Sequence, residues 1–191
     1  MAVKTMSAST GGGQYNAGWH ELTISKAEYG TWKGPKDTKR YIDVWFEGYS
    51  DNMNMRVYET TTKTGEEFKI ANLFKMANAG IIDVLQDPTG KRPVIQYDDE
   101  ATNLVGKNVN TYFYKETKTG NEYSRILDAV APVVQEGEHL SYTADQVSGI
   151  KRSVESNYKK RAAINGGSSN GFAESTVSPN TEVTEDETIP F

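Results

Sequence analysis

The feature that most restricts the fold of this chain is an alternation of apolar and polar residues that recurs in five segments. It is clearest in 39–49, where Ile42, Val44 and Phe46 share one face and aromatic residues occupy the other. Because successive side chains of a strand point to opposite faces, a period of two predicts half-buried β-strands. The other four predicted strands are 17–30, 53–61, 104–116 and 122–131.

The period changes between the third and fourth predicted strands. In 66–79 the apolar residues recur at spacings of three and four, which predicts a helix. Gly80 is expected to cap or break this helix, and the apolar residues of 81–85 are expected to extend its apolar surface. Segment 86–103 is rich in Pro, Gly and Asp and is predicted to be a loop.

Five short strands with a helix between the third and fourth match the layout of the OB-fold, a partly open five-stranded barrel. Other small barrels also have five strands, and the inserted helix is what favours the OB-fold. We therefore predict a mainly β chain with an OB-fold barrel over 17–134. Segments 39–49 and 53–61 should pair as a hairpin.

Three further segments flank the predicted barrel. Residues 1–16, rich in Ser, Thr and Gly, are expected to form a flexible arm. In 135–164, Thr143 and Gln146 form a capping box that opens a helix. This helix could pack on the barrel or mediate assembly into a homo-oligomer, or its basic residues could add phosphate contacts. Residues 165–191 are predicted to be a disordered linker and acidic tail.

Composition excludes several classes of protein. Hydrophobic residues make up 36% and the mean hydropathy is −0.65, so part of the chain is expected to be disordered. The absence of cysteine excludes disulfides and thiolate metal sites. No catalytic signature, phosphate-binding glycine loop or metal-ligand spacing is present, so we expect a non-catalytic protein without cofactors. No apolar run approaches the roughly 18 residues that cross a bilayer, and we expect a soluble intracellular protein without membrane contact.

The formal net charge of −5 is unevenly distributed. Segment 165–191 contains five acidic residues and no Lys or Arg, so it carries a charge equal to the net charge of the whole chain. The remaining residues are formally neutral. The acidic balance therefore does not prevent the body from binding an anion through local basic patches.

The predicted barrel carries aromatic and basic residues where OB-folds bind oligonucleotides, namely strands 2 and 3 and the loops between strands 1 and 2 and strands 4 and 5. Bases stack on flat side chains while cations follow the phosphates. The alternative is that the aromatics pack between the barrel and its flanking helices. The predicted DNA-binding residues are Trp32, Lys33, Lys36, Lys39, Arg40, Tyr41, Trp45, Arg56, Tyr58, Tyr112, Tyr114, Lys115, Lys118 and Arg125.

The acidic tail ends in an apolar tip. A tail that serves only solubility has no need of Ile and Phe at its terminus, so we expect a peptide that binds a partner protein. The acids would pair with a basic rim and accelerate association. The predicted partner-binding residues are Glu185, Asp186, Glu187, Ile189, Pro190 and Phe191.

This tip resembles that of bacterial single-stranded DNA-binding proteins, which typically ends Asp-Asp-Asp-Ile-Pro-Phe. Thr188 stands where an Asp is often found. The layout of barrel, linker and tip resembles the divergent versions encoded by bacteriophages. The resemblance implies protection of single strands in replication, recombination and repair, in the cytoplasm of a bacterial host. It also implies recruitment of replication and recombination proteins through the tip, and competition between tail and DNA. The alternative function is an adaptor whose barrel binds protein and whose tail docks on host factors.

Overall fold

A computed structural model describes residues 15–34, 37–63, 65–86 and 93–165. Most of the predicted arm and nearly all of the predicted tail lie outside the described residues. The elements are β1 (Gly18–Lys33), β2 (Thr38–Phe46), β3 (Met55–Tyr58), α1 (Lys69–Ala77), β4 (Ile81–Leu85), β5 (Val94–Tyr97), β6 (Asn108–Lys118), β7 (Asn121–Pro132) and α2 (Ala144–Asn165). A 3₁₀ turn over Ala101–Leu104 precedes β6. The chain is mainly β, as predicted.

Five of the strands form one antiparallel sheet in the order β3-β2-β1-β6-β7. The long strand β1 belongs to both halves, because residues 18–23 pair with β6 and residues 24–33 pair with β2. The register shifts between Ile24 and Lys26, which leaves Ser25 as an extra residue. A bulge of this kind bends a strand and increases its twist. The sheet therefore turns a corner along β1.

The sheet is strongly curved. In a flat sheet, four strand spacings of about 4.8 Å would separate β3 from β7 by about 19 Å. The two edge strands instead lie within 8 Å of each other at their Cα atoms. Within the described residues no hydrogen-bonded ladder joins them, so a closed barrel is not formed.

The core lies on the inner side of this curved sheet. Ile42, Val44 and Phe46 are buried there, as their alternation predicts. Met55 and Val57 join them from β3, which confirms the predicted hairpin. The core is completed by α1, whose buried residues are Ile70, Leu73, Phe74 and Ala77.

Helix α1 is shorter than the predicted helix over 66–79. The carboxylate of Glu67 accepts hydrogen bonds from the backbone N–H groups of Ile70 and Ala71, both at 2.8 Å, and so caps the free donors of the first turn. The helix ends at Asn78, whose left-handed φ of 48° forms the cap expected of Gly80.

The prediction for 81–103 is wrong, because this segment contains the antiparallel hairpin of β4 and β5. A short apolar run such as 81–85 cannot be assigned to helix or strand from periodicity. In the structure, the left-handed backbone of Asn78 turns the chain away from the helix axis, and 81–85 forms a strand. The ring of Tyr97 then lies 5.5 Å from that of Phe74, centroid to centroid, and attaches the hairpin to α1.

Helix α2 begins with the predicted capping box. The Thr143 N–H donates to Oε1 of Gln146 at 2.9 Å, and the Gln146 N–H donates to Oγ1 of Thr143 at 3.3 Å. The helix packs on the outer side of β6 and β7, where the Tyr158 ring contacts those of Tyr112 and Tyr114. Of the readings open for this helix, packing is the one observed. Among the described residues no helix is both long and apolar enough to cross a membrane.

Candidate nucleic-acid interface

Helix α2 contacts β1 at Trp19 but does not cover the outer side of residues 26–33 of β1, of β2 or of β3. That side carries most of the predicted stacking residues. Directly opposed residues of an antiparallel pair share a face. The cross-strand register therefore places one set of side chains on this surface, which we call the outer aromatic face. It consists of Lys26, Glu28, Gly30, Trp32, Lys39, Tyr41, Asp43, Trp45, Arg56 and Tyr58.

Trp32 lies in β1 opposite Lys39 and not in the loop where the sequence placed it. Its indole lies against the backbone of Gly34. A methyl group added at Gly34 would come within 2.2 Å of the Trp32 ring. The glycine therefore leaves room for the six-membered ring of the indole, and Trp32 as a whole is half-exposed.

Tyr41, on the neighbouring strand, also packs against a glycine. A methyl group at Gly30, its cross-strand partner, would come within 2.4 Å of the Tyr41 ring. On the other side, Tyr58 meets Tyr41 edge to face, with ring centroids 5.7 Å apart. This arrangement fixes two half-exposed tyrosines side by side.

Arg56 is held by Asp43 through two parallel hydrogen bonds. Nε donates to Oδ1 at 2.8 Å and Nη2 donates to Oδ2 at 2.7 Å. Asp43 is only 8% exposed, so this is a partly desolvated pair. The hydrogen bond to Asp43 raises the pKa of the Arg56 guanidinium above its ordinary value, although burial acts against it. Arg56 Cζ lies 3.9 Å from the centroid of the Tyr41 ring.

Trp45 occupies the end of the face nearest the bend in β1. Its Nε1–H donates to the backbone carbonyl of Asp51 at 3.0 Å, which fixes the orientation of the indole. Lys26 Nζ lies 4.7 Å from the ring centroid. An oriented indole can stack on a base while a cation beside it contacts the adjacent phosphate.

Each cation of the outer aromatic face forms an ion pair with a carboxylate. Lys39 pairs with Asp37, at 3.6 Å. Lys26 pairs with Glu28 at 2.9 Å, and Arg56 is bound by Asp43. Glu28 and Asp43 belong to the same face and Asp37 precedes β2, so the surface is aromatic with locally balanced charge rather than strongly basic.

Two other predicted cations lie apart from the outer aromatic face. Arg40 belongs to the opposite side of β2, where its guanidinium pairs with Asp99 at 3.1 Å and lies 3.8 Å from the Tyr29 ring. Burial and Asp99 raise the pKa of the Tyr29 hydroxyl. Lys33 is exposed at the end of β1. Lys36 lies outside the described residues.

The structure does not bring the predicted residues of β6 and β7 onto the same face. Tyr112 and Tyr114 pack under α2, and burial raises the pKa of the Tyr114 hydroxyl. The cations of this hairpin form ion pairs with acids of the same hairpin: Lys115 with Glu122, Lys118 with Glu116, and Arg125 with Glu116. For Tyr112 and Tyr114 the packing alternative is therefore the one observed.

The predicted partner-binding residues, Glu185, Asp186, Glu187, Ile189, Pro190 and Phe191, all lie outside the described residues.

Sequence reasoning missed four residues of the outer aromatic face, Lys26, Glu28, Gly30 and Asp43, and also Gly34 beside it. A glycine inside a strand pattern signals close approach of another group, so Gly30 could have been noticed. The positions of Lys26 and Asp43 depend on the register after the Ser25 bulge. No local pattern reveals that register.

No protein-family model matches this chain, and a search of curated proteins finds no match. The geometry of the outer aromatic face is therefore the main indication of what this protein binds. Among the described residues no cluster of three or more His, Asp or Glu side chains could hold a metal ion.

Proposed function

We propose that this protein binds single-stranded DNA with little sequence preference, through the outer aromatic face. The observation that carries the proposal is the alignment of four half-exposed aromatic side chains on one sheet surface that no helix of the described residues covers. Three have cations within reach, because Lys39 lies opposite Trp32, Arg56 lies on Tyr41, and Lys26 lies beside Trp45. The four aromatic residues are Trp32, Tyr41, Trp45 and Tyr58.

The topology supports an OB-fold interpretation of the same surface. The first strand is shared between two halves of a curved five-stranded sheet, and a helix lies between β3 and β6. In OB-folds the face of the second and third strands binds oligonucleotides. Here that face is the one that α2 leaves uncovered.

Stacking is the expected source of affinity. Base–aromatic stacking contributes about 1–3 kcal/mol per base and tolerates any base, because every base has a π-face. Since the cations of the face already have carboxylate partners, phosphate contacts are expected to contribute less. The proposed role is protection of exposed single strands, with recruitment of replication or recombination proteins through residues 185–191.

The direct test is titration of the intact protein with oligo-dT while tryptophan fluorescence is recorded. Stacking on Trp32 and Trp45 should quench the emission. The logarithm of the binding constant should fall with the logarithm of salt by about 0.7 for each phosphate contacted. Equal affinity for duplex DNA, or no binding to either, would contradict the proposal.

Replacement of Trp45 by Ala locates the binding surface. We expect affinity for oligo-dT to fall roughly 5- to 150-fold, because one stacked base contributes about 1–3 kcal/mol. Tyr123→Ala is a matched control, since Tyr123 is an exposed aromatic beside Arg125 on the β6–β7 hairpin. It should leave affinity unchanged. Equal losses in both variants would exclude the outer aromatic face as the specific site.

The adaptor remains the second candidate, and the β4–β5 hairpin favours it. Ile82 is 60% exposed and Val94 is 49% exposed, as apolar residues at a protein-binding surface would be. If oligo-dT left both the fluorescence and the sedimentation of the intact protein unchanged, this candidate would be preferred over DNA binding.

A further inference from the structure

Arg56 differs from the other cations of the outer aromatic face in how it is held. Both of its hydrogen bonds to Asp43 come from one edge of the guanidinium, formed by Nε and Nη2. Two parallel bonds to a carboxylate fix a guanidinium in a plane. Asp43 is buried between strands and cannot swing away with its partner. The guanidinium therefore has one fixed orientation.

That plane lies over an aromatic ring. The distance of 3.9 Å between Arg56 Cζ and the Tyr41 centroid permits face-to-face stacking. The Tyr41 ring is itself pressed against Gly30. Gly30, Tyr41 and Arg56 thus form three layers that come from β1, β2 and β3, and Tyr41 takes part in stacking through the guanidinium that covers it.

The edge occupied by Asp43 is one that a phosphate would use for a two-bond contact. To bind phosphate in this way, Arg56 would have to leave a partly desolvated carboxylate without its partner, which is unfavourable. The side chain of Arg56 is nevertheless 40% exposed. Tyr58 also forms a hydrogen bond with the guanidinium. Beside the N–H groups left at its far end, Arg56 therefore offers a ligand the free flat surface of the guanidinium, on which nucleobases stack.

We propose that Arg56 is a base-stacking platform of the outer aromatic face, and that Asp43 is the positioning residue that holds it flat. This inference rests on the proposed function. A ligand with an unpaired base fits the platform, whereas duplex DNA, whose bases are already stacked on each other, does not.

The test compares Arg56→Lys, Arg56→Ala and wild type in oligo-dT titrations over a series of salt concentrations. Lysine keeps the positive charge, but its ammonium group has no flat surface on which a base could stack. We therefore expect both variants to lose affinity to a similar extent, roughly 5- to 150-fold for one stacked base, with the salt dependence unchanged. If Arg56 were a phosphate ligand, Arg56→Lys would retain most of the affinity. Arg56→Ala would then reduce the salt slope by about 0.7.

Asp43→Asn should change the affinity for oligo-dT in opposite directions, depending on whether Asp43 positions Arg56 or competes with phosphate for it. If Asp43 positions the platform, the amide holds the guanidinium less firmly and affinity falls. If Asp43 competes with phosphate for Arg56, its neutralisation raises affinity and steepens the salt dependence, which would overturn the inference. Thermal unfolding of each variant checks folding. Should Asp43→Asn not fold, the comparison of the two Arg56 variants decides.

The outcomes separate this inference from the proposed function. If wild type binds oligo-dT and Trp45→Ala weakens it while Arg56→Lys does not, the platform is wrong and DNA binding stands. If wild type does not bind oligo-dT, both are wrong.

Discussion

At the scale of single residues, two glycines determine where the aromatic rings of the outer face can lie. Gly30 and Gly34 leave room for the rings of Tyr41 and Trp32 to rest on the backbone. A strand gains no packing from a glycine and loses some stability to its flexibility. The benefit of these glycines is in the placement of the rings, so their replacement should affect ligand binding more than folding.

Gly30→Ala tests this expectation. The added methyl group would collide with the far end of the Tyr41 side chain, which can move aside at little cost. We expect affinity for oligo-dT to fall severalfold, while the melting temperature changes by only a few degrees, equivalent to about 1 kcal/mol or less. Gly149→Ala on α2 is the control, since a methyl group there meets no atom within 4 Å. It should leave affinity unchanged.

The aromatic residues of the site could be predicted from the sequence, but their neighbours could not. Tyr41 and Trp45 alternate with buried apolar residues, so their outward direction follows from the period of two. The acids that neutralise the cations become visible only when strands are aligned. Glu28 meets Asp43 across β1 and β2, and this match depends on the bulge at Ser25.

At the scale of elements, the errors lie where short apolar segments have no strong period. The helix, the β2–β3 hairpin and the α2 capping box were predictable because each has a local signal. The β4–β5 hairpin was not, since its assignment depends on Tyr97 packing against Phe74. Likewise, the segment before α2 is attached to α1 by a contact distant in sequence, in which the Tyr142 hydroxyl donates to the Lys75 carbonyl at 3.1 Å.

Tyr142→Phe tests that attachment. Burial raises the pKa of Tyr142 to about 12, so the folded state retains its proton where the unfolded chain begins to lose it, near pH 10. Stability from this group is therefore constant up to about pH 10 and falls between about pH 10 and 12. The free energy of unfolding of wild type should exceed that of Tyr142→Phe by about 1 kcal/mol at pH 8. This difference should shrink above pH 10.

Urea unfolding at pH 8, 10 and 11 measures the free energy of unfolding of wild type and of Tyr142→Phe. Tyr123→Phe, at an exposed position, controls for the loss of a tyrosine hydroxyl. An advantage of wild type that stayed constant to pH 11 would show that Tyr142 does not retain its proton in the folded state.

At the scale of the whole molecule, α2 gives the two halves of the sheet different surroundings. It covers the outer side of β6 and β7 and contacts the first half of β1 at Trp19, but leaves residues 26–33 of β1 and the outer side of β2 and β3 uncovered. The charges are divided as well, because a charge equal to the full net charge lies in 165–191. Any binding of DNA to the body therefore takes place in a chain that carries a concentrated negative segment.

Removal of residues 182–191 tests the influence of that segment. The truncation removes four acids and changes the net charge from −5 to −1. We expect affinity for oligo-dT to be preserved or increased, most clearly at low salt, because like charges then repel DNA less. Binding of replication or recombination proteins should be lost. A large decrease in DNA affinity would refute competition between tail and DNA.

The bulge at Ser25 has a consequence for the whole outer aromatic face. Before it, the even-numbered residues Leu22 and Ile24 face the core; after it, the odd-numbered residues Ala27 and Tyr29 do. One extra residue thus inverts the parity of the strand. If Ser25 took a place in the ladder as a regular residue, the continuing alternation would direct Trp32 to the inside and Tyr29 to the surface. The bulge leaves Ser25 out of the alternation and so keeps Trp32 on the same side of the sheet as Trp45 and Tyr41.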